Sequence, residues 1–134
     1  MNLLLATLPA GLVLVYATKL PLAIEMAKAP GGYNNHDPRT QQASLEGRGR
    51  RAAAAHANAF EAFPPFAAGV IVCHTTGAAP GIALAFSLVH LIARAIYPFL
   101  YIFDRASLRS TAWFIGFLAT AGLLVLPLVC SQAI

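Results

Sequence analysis

The chain has 134 residues, of which 58% are hydrophobic and only 10% charged, with a formal net charge of +4. So little polar surface excludes a water-soluble domain of this size and points to an integral membrane protein. The basic excess is gathered at particular boundaries between apolar runs rather than spread over a face, so a nucleic-acid partner is not expected.

In chain order, the first apolar run extends from Asn2 to Ala27. It begins Met1-Asn2-Leu3-Leu4-Leu5 without a basic n-region and outruns a signal peptide, which predicts an uncleaved first span. A polar connection from Lys28 to Gly49 follows, rich in turn formers such as Pro30-Gly31-Gly32, Asn34-Asn35 and Asp37-Pro38. Within it, Ser44 with Glu46 close behind predicts a capped start for a second helix, Leu45 to Thr75. Two further spans are expected, Pro80 to Phe103 and Leu108 to Ser131, each long enough at about 1.5 Å per residue to cross roughly 30 Å of hydrocarbon. Continuous apolar runs exclude the alternating strands of a membrane barrel. The expected fold is an all-α integral membrane four-helix bundle in one domain, 1–134.

Lys28, Arg39, Arg48, Arg50 and Arg51 surround the first connection, and Arg105 and Arg109 the third, whereas the second, near Gly77 to Gly81, carries no cation. The positive-inside rule then puts both termini on the non-cytoplasmic side. The basic loops suit a bacterial inner membrane or an endoplasmic reticulum, and their compactness favours the first. Cys73 and Cys130 fall toward the same non-cytoplasmic end; both a bridge and two small buried hydrophobes fit that placement. Each span holds a proline, Pro21, Pro64-Pro65, Pro98 or Pro127, and each frees the carbonyl four residues earlier.

Polar residues inside these runs are the candidate site. An ionisable group near the middle of a membrane helix costs a few kcal/mol, so it faces a protein-lined or wet cavity. On the second helix Arg48, Arg51, Asn58 and Glu61 share an arc of roughly 140°. His56 points away from it and is expected to sit near the cytoplasmic boundary with a local hydrogen bond of its own. On the third helix His90, Arg94, Tyr97, Tyr101 and Asp104 are spaced four, three, four and three apart, an arc of roughly 80°. Arg94 is expected either to neutralise Glu61 within the bundle or to line, with Glu61, a cavity for an anionic, hydrogen-bonding ligand whose donors include the tyrosines. Arg105, Arg109, Ser110 and Thr111 bring cations and hydroxyls to the start of the fourth helix, where free amides and the helix dipole favour an anion or lipid head group. Without further Cys, Asp or His at ligand spacing, no metal site is expected.

These residues resemble the membrane-associated proteins in eicosanoid and glutathione metabolism, the MAPEG family, with microsomal glutathione transferases and prostaglandin E synthase among its members. The likeness rests on Arg51, Asn58, Glu61 and Pro65-Phe66 of the second helix, Arg94, Tyr97 and Tyr101 of the third, and Arg109-Ser110 opening the fourth. It departs at Ala57, where glutathione-using eicosanoid enzymes carry arginine, at Tyr97, where the prostaglandin enzyme has histidine, and at Trp113, where tyrosine is usual.

The resemblance implies a homotrimer binding glutathione as cosubstrate between subunits near the cytoplasmic face. Arg51, Asn58, Glu61, Arg94, Tyr97 and Tyr101 then hold the tripeptide, while Arg109 and Ser110 carry the chemistry at its sulfur. The implied partners are membrane lipids and a lipophilic small-molecule substrate, and the implied activity is a glutathione-dependent transferase or peroxidase on lipophilic electrophiles or lipid hydroperoxides. The competing expectation is a non-catalytic lipid- or fatty-acid-binding member. The catalytic reading requires polar side chains of the last three helices to meet in one hollow, inside a protomer or across a subunit boundary.

Overall fold

Asn2 opens the first helix by accepting the Leu5 amide on its side-chain oxygen at 3.2 Å, which satisfies one of the donors that a helix start leaves free. In the computed structural model, which describes residues 2–130, α1 (Leu3–Ala17) and α2 (Lys19–Lys28) run on through Thr18 as one rod, since Thr18 keeps helical angles. The interruption has a local cause: Pro21 has no N–H to offer the Ala17 carbonyl.

The polar connection contains a short helix, α3 (Pro38–Ser44), in place of a continuous loop. Asp37 caps it by accepting the Thr40 amide at 3.3 Å, and Pro38 takes the first turn, where its missing N–H costs nothing. The Ser44 hydroxyl donates to the Gln41 carbonyl at 2.8 Å, so the expected serine cap on the next helix does not form. Instead α4 (Gly47–Thr76) begins after Glu46 without a side-chain cap, and Gly47 stands at φ +51°, a conformation that favours glycine. It ends on Gly77, and a short turn leads into α5 (Pro80–Ile102); α6 (Ala106–Cys130) follows the Phe103 to Arg105 turn. The end of the fourth expected span, Ser131, lies outside the described residues.

Among the described residues, three stretches are long and apolar enough to cross a membrane: Leu3–Lys28, Pro80–Ile102 and Ala106–Cys130. At 30 residues α4 has the length too, but its arginines, Asn58 and Glu61 make it less apolar than the others. The chain is thus an all-α integral membrane protein.

Two apolar clusters hold the helices together. One joins Leu4 of α1, Phe66 and Val70 of α4, Ala83 of α5 and Leu123 of α6. The other, at the opposite end, joins Leu22 and Met26 of α2, Ala52 of α4 and Ile102 of α5. In the first, Pro127 leaves the Leu123 carbonyl without its helical donor, and the buried Cys73 thiol takes that place at 3.1 Å. Both cysteines are free, with Cys130 exposed.

Candidate functional site

A polar layer lies between the two apolar clusters, and it is there that the helices part. A Cβ on Gly69 would come within 2.7 Å of the Leu123 Cβ, so glycine lets α4 and α6 touch at this level. Toward the Asn58 end of α4 they separate, and a hollow of ≈170 Å³ opens between them with α5 as its floor. Asn58, Glu61 and Pro65 form one wall, His90 and Arg94 the floor, and Trp113, Gly116 and Thr120 the other wall.

The polar groups of this hollow form a chain. Arg94 donates from Nη1 to Asn58 Oδ1 at 2.7 Å, and Asn58 Nδ2 donates to Glu61 Oε2 at 3.3 Å. Arg94 and Glu61 are therefore not a direct ion pair; the Asn58 amide stands between them and uses its acceptor on the cation and its donor on the anion. Arg94 Nε is buried and has no partner among the described residues. It lies against Gly116, where a Cβ would sit 3.3 Å from Nε, so the absence of a side chain there makes room for the guanidinium.

His90 is held from both sides. Its ring stacks on Phe66, with centroids 4.1 Å apart and planes 3° from parallel. Thr120 Oγ1 donates to the Gly116 carbonyl at 3.0 Å and lies 2.9 Å from His90 Nδ1. With the threonine proton used on the carbonyl, its oxygen accepts from Nδ1–H, which assigns the ring tautomer. His56 repeats the device with Thr18: the hydroxyl donates to the Val15 carbonyl at 2.6 Å and lies 2.7 Å from His56 Nδ1. The hydrogen bond expected for His56 thus reaches across to another helix rather than staying local.

Arg109 and Ser110 line a second hollow of ≈230 Å³ with Tyr97, Tyr101 and Trp113. The Arg109 guanidinium lies 4.4 Å from the Tyr101 ring centre, and that of Arg94 lies 4.7 Å from the Tyr97 ring. Tyr97 and Tyr101 meet edge to face at 5.7 Å, so the four side chains form one row, cation, ring, ring, cation, from Arg94 on α5 to Arg109 on α6. The helix start contributes less than its sequence suggests. The Arg105 amide donates to the Leu100 carbonyl and the Arg109 amide to the Arg105 carbonyl, both at 2.8 Å, because α6 begins a turn before Arg109. The charge in this hollow is the Arg109 side chain itself.

Of the expected residues, Asn58, Glu61 and Arg94 line the first hollow and Tyr97, Tyr101, Arg109 and Ser110 the second. Glu61 and Arg109 do not share one chamber; the two hollows adjoin at Trp113, which lines both. Arg51 lines neither, and its Nε donates to the Ile102 carbonyl at 3.0 Å, satisfying an end group of α5. Arg48 turns to Glu25 at 3.6 Å and to the Phe103 ring at 5.4 Å. Asp104 falls beyond the end of α5 at φ +59°, off the polar stripe. Gly116 and Thr120 escaped the sequence reading, although with Trp113 they mark one face of α6 at spacings of three and four.

Among curated proteins and among solved structures nothing matches the chain. The model of the MAPEG family matches residues 3–129, a stretch that contains every helix described except the last residue of α6, Cys130, and all the polar side chains of both hollows. The chain belongs to the MAPEG family, which consists mostly of glutathione-dependent membrane enzymes.

Proposed function

We propose that the chain is a glutathione-dependent transferase or peroxidase that acts on lipophilic electrophiles or lipid hydroperoxides. The observation that carries this reading is the pairing of a charge-separated hollow, Arg94–Asn58–Glu61, with a cationic, hydroxyl-bearing one at Arg109 and Ser110. Glutathione has the matching layout: an amino-acid end with both charges, amides along its length, and a thiol. Glu61 suits the ammonium, Arg94 the carboxylate, and the peptide passes Trp113 to bring its sulfur to Arg109 and Ser110. Tyr97 and Tyr101 flank that passage. Arg51 acts one step removed, by fixing the end of α5 that bears Tyr101.

A cation beside a thiol lowers its pKa and raises the thiolate fraction, and a hydroxyl stabilises that thiolate by donating to it. The sulfur then attacks an electrophilic carbon as its leaving group departs with the bonding electrons. With a hydroperoxide it attacks the terminal oxygen, an alkoxide leaves, and a second thiol completes the disulfide.

We further place the basic end of the bundle in the cytoplasm, with both termini outside, and the protein in a bacterial inner membrane as a homotrimer. Leu22, Met26, Ala52 and Ile102 gather at the basic end, while Asn2 meets His74 at 3.2 Å at the other. Exposed Glu61 on the open side of the first hollow and exposed Trp113, which lines both, leave a place for a neighbouring subunit and for the lipophilic substrate.

Glutathione titrated into the purified protein should release heat and generate thiolate absorbance; Arg109→Ala should keep the heat and lose the absorbance. Undiminished absorbance in that variant rules out the assigned role. A non-catalytic lipid-binding protein is the second reading, favoured by the fact that Arg94 and Glu61 are already joined through Asn58 within the chain. It requires that glutathione give no heat at all.

A further inference from the structure

On the far side of α5 from the polar hollow, α1 and α2 run beside α5 and leave a long apolar furrow between them. Two adjoining hollows of ≈530 and ≈460 Å³ share Leu14 and Ala95 and make it continuous. Small side chains set its depth, with Ala10 and Ala17 one heptad apart on one helix and Ala95 facing them on the other. Large exposed side chains form its rims toward the basic end, Leu20 and Ile24 on α2 against Phe99 and Phe103. Along α5 the furrow runs from Ile92 to Phe103, about 16 Å at 1.5 Å per residue. That is close to one leaflet, about half of the roughly 30 Å of hydrocarbon.

Apart from Thr18 and the side of Arg94 at its floor, the furrow is lined by apolar side chains up to its basic end, where a second charge stands. Arg48 lines its basic end, with half of its side chain exposed and the guanidinium stacked 5.4 Å from the Phe103 ring. Glu25 lies 3.6 Å from Arg48, but it also accepts from Lys28 at 3.1 Å, so the three charges leave one positive. A cation at the mouth of a leaflet-deep apolar slot is complementary to one chemistry: an acyl chain ending in an anionic head group.

We propose that this furrow is a binding site for an anionic phospholipid, one acyl chain lying between α1–α2 and α5 and the phosphate on Arg48. Its ligand and its position differ from those of the proposed glutathione site. Arg94 stands between the two, lining both, so a chain seated in the furrow packs against the back of the residue that orders the polar hollow.

The test reads lipid occupancy at the furrow by fluorescence. Replacing the one tryptophan, Trp113→Phe, and introducing Phe99→Trp places a single reporter on the rim. The protein is then reconstituted into phosphatidylcholine vesicles containing a small fraction of either phosphatidylglycerol or phosphatidylcholine with brominated chains. Brominated phosphatidylglycerol should quench the reporter at a membrane fraction about five-fold lower than brominated phosphatidylcholine, the preference expected of one basic residue at a membrane surface. Adding Arg48→Gln should bring the two lipids level. Equal quenching with Arg48 present means ordinary bilayer contact and overturns the site. Absence of quenching by both lipids means that protein covers the furrow, and overturns it too. A preference that survives Arg48→Gln overturns the head-group assignment.

Discussion

Asn58 holds the polar layer together, because it alone touches both charges. Replacing it by leucine, close to it in size, removes the acceptor from Arg94 Nη1 and leaves a partly buried guanidinium whose Nε already has no partner among the described residues. Hydrogen bonds to charged groups contribute about 1.5–3 kcal/mol, and an orphaned buried partner costs at the upper end of that range. Asn58→Leu should lower unfolding stability in detergent by about that amount and abolish the heat of glutathione binding; loss of binding without loss of stability would make Asn58 a ligand contact only. Gly116 permits a complementary experiment. A Cβ there meets Arg94 Nε at 3.3 Å and Nη2 at 3.4 Å, so valine pushes the guanidinium out of its slot while leaving every polar group in place. Gly116→Val should raise the KM for glutathione about tenfold or more, the effect of about 1.4 kcal/mol, with kcat changed less. An unchanged KM would show that the ligand does not use Arg94. The candidate residues on α4 and α5 that line the first hollow are legible because a charge inside a hydrocarbon-length run must face protein or water and helical spacing groups them. Gly116 and Thr120 were not, since small and hydroxyl residues are common in membrane helices for packing alone.

The elements show where local chemistry decides and where a neighbouring helix overrides it. Asp37-Pro38 was read as a turn, yet aspartate before proline is equally a helix cap and first-turn pair, and α3 follows from it. The prolines were read as sites of freed carbonyls, which is correct for each helix taken alone. What satisfies those carbonyls depends on packing: the Leu123 carbonyl, left by Pro127, is reached by Cys73 from a helix fifty residues earlier. No spacing rule announces that contact. It yields a paired prediction. Cys73→Ala removes the donor and should cost about 1–3 kcal/mol, whereas Cys73→Ser keeps an O–H at the same carbonyl and should recover most of the loss. Thermal unfolding in detergent separates the two. Equal losses would show that the thiol fills space and nothing more. The contact is worth testing because Gly69 and Leu123 bring α4 and α6 together at this same level, and their divergence below it opens the first hollow.

At the scale of the whole molecule, the arrangement of charge and exposure argues for a site completed by another subunit. Asn58 is half-buried and Glu61 exposed, although both lie in a helix surrounded by apolar side chains. Trp113 and Phe117 stack at 5.3 Å on the open side of the first hollow and are themselves exposed. A carboxylate facing hydrocarbon is costly, and among the described residues the one side-chain hydrogen bond to Glu61 is that from Asn58 at 3.3 Å. A second copy of the chain against this side, as in the proposed trimer, would remove the cost by walling the hollow and would turn an open groove into a pocket that excludes lipid from a bound thiol. Glutathione binding should therefore follow assembly. Diluting the protein in detergent until the proposed trimers dissociate should lower the bound glutathione in step with the trimer fraction, read by light scattering and calorimetry on the same samples. Saturating glutathione should in turn shift the dissociation midpoint to lower protein concentration, since a ligand that binds only the assembled form stabilises it by mass action. Monomers that bind with undiminished affinity would place the whole site within one protomer, leaving Glu61 to be explained by the bundle alone.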